Sequence, residues 1–79
     1  MAIRKQNSRD SSIEESFGRQ VKLLRKKRGW TQAELAFRMD IETSNLKKYE
    51  NGRQGITLKM LQKMAFAFEI TLTELFDFK

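Results

Sequence analysis

The chain has 79 residues, a formal net charge of +6, and neither cysteine nor histidine. A chain of this length makes one domain with a thin core, because it buries only about 60% of its unfolded surface. The missing residue types exclude disulfides, thiolate metal sites and every Ser-His or Cys-His nucleophile pair.

No apolar run reaches the roughly 18 residues of a membrane span, and the N-terminus lacks the apolar centre of a signal peptide. These features, with the absence of cysteine, lead us to expect a cytoplasmic protein. The ten basic residues between 16 and 56 face only Glu34, Asp40, Glu42 and Glu50, whereas 1–15 and 57–79 each sum to zero. A positive field concentrated in this way favours a polyanion, although a solvated basic surface gives the same composition.

Residues 1–11 are polar apart from Ile3 and read as a flexible arm, with Arg4, Lys5 and Arg9 as candidate backbone contacts. Residues 12–79 read as the folded domain. Ser12 and Glu15 have capping-box spacing, and Ile13, Phe17, Val21 and Leu24 then form one helical face. Gly29 is the expected stop, and the Arg25–Arg28 run suits the negative end of a helix dipole. Thr31 and Glu34 form a second box, opening a helix that turns Leu35, Ala36 and Met39 inward. A third helix is expected from about Thr43 to Glu50, ended by Asn51-Gly52. Thr57 can cap a fourth, with Leu58, Leu61, Ala65 and Phe68 on a shared face. Thr71 and Glu74 box a short fifth, which carries Leu72, Leu75 and Phe76. The chain has no proline and no sustained alternation of apolar and polar residues, so the fold class is all-α, one compact domain of five helices.

The third helix explains where the charge goes. At about 100° per residue, Thr43, Lys47, Ser44 and Lys48 span one arc, while Leu46 and Tyr49 fall opposite. A helix this short cannot stand alone in water. Its apolar side must be pinned, which leaves the polar side as an outward ridge. Such a ridge fits the DNA major groove, where hydroxyl and ammonium groups meet base edges. Lys47 and Lys48 also read as ordinary solubility charges, and Thr43 or Ser44 as caps. Trp30 and Tyr49 read as core rather than stacking platforms.

At these positions the sequence resembles the lambda-repressor-like family (Cro/CI or Xre type). Gln32–Asn51 looks like its helix-turn-helix, with Leu35 and Met39, small Ala36 at the helix crossing, Ile41 in the turn, and Leu46 and Tyr49 beneath the third helix. "GWTQAELA", "YENGR" and "ITLKMLQKMAFAFEITLTELF" resemble its flanking segments, so the likeness spans roughly 16–78. The small size is similar to that of restriction-modification controller proteins. The resemblance implies base reading by Thr43, Ser44, Lys47 and Lys48, and backbone contacts by Gln32, Asn51 and Arg53. It also implies a structural ion pair between Arg25 and Glu50. Two positions depart from the family: Asp40 stands where glycine is usual, and Glu42 where a small hydroxyl residue is usual.

The implied function is a sequence-specific, double-stranded DNA-binding transcriptional regulator, with no cofactor, no metal and no small-molecule substrate. Family members commonly bind as symmetric dimers. Met60, Met64, Phe66, Phe68, Phe76 and Phe78 offer more apolar surface than a thin core needs, which suggests a homodimer through the C-terminal helices. The alternative is an antitoxin or protein-interaction module that keeps the fold with little DNA binding. An enzyme is not expected, because no nucleophile pair, phosphate loop or paired acid-base spacing occurs.

Overall fold

A computed structural model describes residues 12–78, in which five helices follow one another. They are α1 (Ile13–Lys27), α2 (Gln32–Met39), α3 (Thr43–Glu50), α4 (Leu58–Phe68) and α5 (Leu72–Leu75). The expected arm, residues 1–11, lies outside the described residues. No strand and no helix long and apolar enough to cross a membrane occur among the described residues.

Four starts are set by a hydroxyl side chain. Ser12, Thr31, Thr57 and Thr71 each accept the backbone N–H three residues on, at 3.0 to 3.1 Å. Each such cap is worth about 1 kcal/mol. Glu34 and Glu74 return the bond to the Thr31 and Thr71 N–H groups, which completes two boxes. At Ser12 the hydroxyl half of the box forms, and Glu15 lies beside Gly52, where an added Cβ would stand 2.8 Å from Glu15 Cγ. The capping role considered for Thr43 or Ser44 is not realised. Glu42 is the N-cap of α3, and no side chain bonds to the first turn.

Four stops share one geometry. Gly29, Asp40, Gly52 and Glu69 each take a left-handed conformation, with φ of 73°, 59°, 69° and 58°. The following residue folds back onto the helix: Trp30 N–H to Arg25 O, Ile41 to Ala36, Arg53 to Lys48 and Ile70 to Ala65, at 3.0 to 3.2 Å. This is the double closure that satisfies a helix's last carbonyls. Trp30, Ile41 and Ile70 thereby swing partly buried against the core.

The core joins Phe17 and Val21 of α1, Leu35, Ala36 and Met39 of α2, Leu46 and Tyr49 of α3, Leu61, Met64, Ala65 and Phe68 of α4, and Leu75 of α5. Trp30 stacks on Phe68 with centroids 5.6 Å apart, and the Arg38 guanidinium lies 4.1 Å over the indole. Three sequence expectations need correcting. Ile13 and Leu58 share the angular position of the core faces but are 64% and 82% exposed. Leu72 is about half exposed. Met64 and Phe68, counted among the surplus apolar residues, are fully buried and available to no partner.

Candidate nucleic-acid interface

α2 lies across α3, and both rest on the rest of the bundle, α1 against α3 and α4 against α2. The tight turn between them depends on Asp40, whose left-handed backbone redirects the chain toward Ile41 and the start of α3. Leu46 is fully buried and Tyr49 nearly so, which fixes the rotation of α3 about its own axis. On the opposite side Ser44, Lys47 and Lys48 are exposed, and Thr43 is half-buried at the first turn. Asn51 and Arg53 follow, both exposed, with Arg53 held through its backbone N–H to Lys48 O. Glu42 is exposed at the head of α3.

A buried ion pair sits behind this ridge. Arg25 Nε donates to Glu50 Oε2 at 2.7 Å and its Nη2 to Oε1 at 3.1 Å, while Nη1 donates to the Trp30 carbonyl at 2.9 Å. The Glu50 side chain is fully buried and that of Arg25 is 9% exposed. The two-point geometry satisfies both charges and joins the end of α1 to the end of α3. Breaking either half would strand a buried charge, at a cost of about 3–5 kcal/mol.

Gln32, which the resemblance suggests as a backbone contact, also has a partner within the protein. Its Nε2 donates to Glu50 Oε1 at 2.9 Å, so the first residue of α2 is tied to the last residue of α3. Sequence reasoning missed this bond, since 18 residues separate the two and no periodicity relates them. It also missed Gly18, where α1 touches the backbone of α3, although a glycine inside a helical pattern is a signal for close approach. Among the described residues no group of His, Cys, Asp or Glu side chains could hold a metal ion.

A short helix pinned by its apolar side behind a second helix, with a tight left-handed turn between them, defines a helix-turn-helix protein. The chain belongs to the HTH_3 (Helix-turn-helix) family, whose pattern matches residues 21–75. It is 41% identical over 59 residues to the competence pilus inhibition repressor of Acinetobacter baylyi, covering 75% of this chain and 54% of that protein. The chain thus spans about half the length of that relative. It is 34% identical over 68 residues to the control protein C.MunI of a Mycoplasma species, covering 85% of this chain and 92% of that one. The restriction-modification controller protein C.AhdI from Aeromonas hydrophila superposes with a TM-score of 0.76 at 32% identity, covering 78% and 94% of the two chains. The biofilm master regulator SinR, solved in complex with DNA, superposes with a TM-score of 0.71 at 26% identity, covering 77% and 98%.

Proposed function

We propose that this chain is a sequence-specific double-stranded DNA-binding transcriptional regulator that works as a homodimer, with α3 in the major groove. One observation carries the reading. Ser44, Lys47 and Lys48 are exposed together on the side of α3 opposite buried Leu46 and Tyr49. Rigid helices present hydroxyl and ammonium groups to base edges in this manner. Thr43, Ser44, Lys47 and Lys48 read bases, and Gln32, Asn51 and Arg53 clamp the sugar-phosphate backbone. The backbone N–H groups of Gln32 and Ala33, in the first turn of α2, lack helical acceptors and suit a phosphate.

The proposed dimer forms through α4 and α5. Leu58 and Phe66 are each 82% exposed, and with Leu61, Ala65, Ile70 and Leu72 they wall an open apolar groove. A patch of this kind marks an interface. Two copies joined there would read two half-sites about one helical turn apart.

Selection of bound duplexes from a random pool, followed by footprinting, tests the reading. A symmetric pair of half-sites is expected. The rival is an antitoxin or protein-interaction module that keeps the same fold with little DNA binding. A salt titration separates the two, since duplex affinity falls steeply as counterions are released. Salt-insensitive or absent duplex binding would favour the rival.

A further inference from the structure

We infer that the buried Glu50 carboxylate is the positioning group for Gln32, tying the first residue of α2 to the last residue of α3 through the glutamine amide. The inference rests on the DNA-binding reading above and adds to it the device that aligns the backbone-clamping end of α2 with the base-reading helix.

A carboxylate can only accept hydrogen bonds, so the amide of Gln32 has no choice of direction: its NH2 must face Glu50. One of the two hydrogens is used there at 2.9 Å. The tie is made at the same turn of α2 that carries unpaired backbone N–H groups. Glu50 cannot swing away, because Arg25 grips both of its oxygens and its side chain is fully buried. The chain of bonds from Arg25 through Glu50 to Gln32 therefore makes three helices into one part. A phosphate held by Gln32 is then in register with bases read from α3.

The positioning role and simple electrostatics predict different outcomes. Removing a carboxylate and a guanidinium together keeps the net charge and should by itself leave binding unchanged. Loss of a positioning group should weaken it. The test uses the full chain, a duplex it selects from a random pool, and poly(dI-dC) as the unselected duplex. Gln32→Ala should lose about tenfold in affinity on both duplexes, with no change in the salt slope, because a glutamine releases no counterion. The double variant Arg25→Met with Glu50→Met keeps the net charge and replaces the pair by apolar side chains, an exchange that folded proteins often tolerate. It should show a similar loss, and adding Gln32→Ala to it should cost nothing further. In the free protein, the side-chain NH2 resonances of Gln32 should be displaced and slow to exchange, and should revert to free-glutamine values in the double variant.

Wild-type affinity in both Gln32→Ala and the double variant, with the wild type still binding its selected duplex, would overturn this inference alone. Gln32 amide resonances that do not respond to loss of Glu50 would overturn it as well. A wild type that binds neither duplex would remove the DNA-binding reading and this inference with it.

Discussion

A methyl group on Gly18 would stand 2.5 Å from the Tyr49 carbonyl oxygen and 2.6 Å from that of Glu50. The two atoms it meets are backbone, so neither can rotate aside. α1 and the end of α3 therefore touch main chain to main chain, and that contact keeps the buried pair of Arg25 and Glu50 in reach of each other. Gly18→Ala should lower stability by about 2 kcal/mol, even though alanine is the better helix former by about 1 kcal/mol. Thermal melting checks it. A melting temperature that stays level or rises would show that the helices have room to separate.

Leu46→Ala removes a fully buried side chain on which the orientation of α3 depends. The expected cost is about 2–5 kcal/mol, depending on how far the site collapses. Urea unfolding of the variant reads it directly. A loss under 1 kcal/mol would mean that α3 is held chiefly by Tyr49 and the ion pair.

Asp40 and Glu69 hold left-handed backbone at helix ends where glycine carries no steric cost. The strain is about 1 kcal/mol for such residues, partly offset by the greater freedom glycine has when unfolded. Glu69→Gly should therefore gain roughly 0.5–1 kcal/mol. Asp40→Gly should gain less, since a short polar side chain tolerates this conformation better. The denaturant midpoint should rise with an unchanged slope.

Lys48→Ala and Ser44→Ala should each weaken the selected site by about 1–3 kcal/mol while leaving unselected duplex much less affected. Lys22→Ala, on the exposed side of α1, should act alike on all sequences if it acts at all. Equal losses on selected and unselected duplex for Lys48 and Ser44 would remove them from the base-reading set.

Phe66→Glu places a charge in the exposed groove of α4 without touching the core. Sedimentation should show a dimer for the wild type and a monomer for this variant, and the variant should bind the duplex with two half-sites less tightly. A variant that remains dimeric would move the interface elsewhere.

The helix limits were legible because their signals are local. Three threonines, one serine and two glycines mark four starts and two stops within a span of four residues, while the stops at Asp40 and Glu69 carry no such mark. Leu58 and Ile13 show where that legibility ends. A helical wheel gives an angle but no height, and both residues lie one turn beyond the edge of the core. Met64 and Phe68 show the converse, filling space between α4 and its neighbours that one-dimensional spacing does not measure. In the candidate site, the outward arc of α3 follows from periodicity alone. The Arg25–Glu50 pair spans 25 residues and was reachable only through resemblance. The Gln32–Glu50 bond was reachable by neither route, because it depends on the angle at which α2 crosses α3.

The double closures at the four helix ends each span a handful of neighbouring residues, and α2 packs on α3 directly across one turn. Helical chains with such short-range contacts fold in about microseconds to milliseconds. A polypeptide leaving the ribosome would thus be competent almost at once. If it acts as the proposed dimer, the delay before it acts would be set by accumulation of chains and their pairing, so abundance, rather than maturation, would time its response.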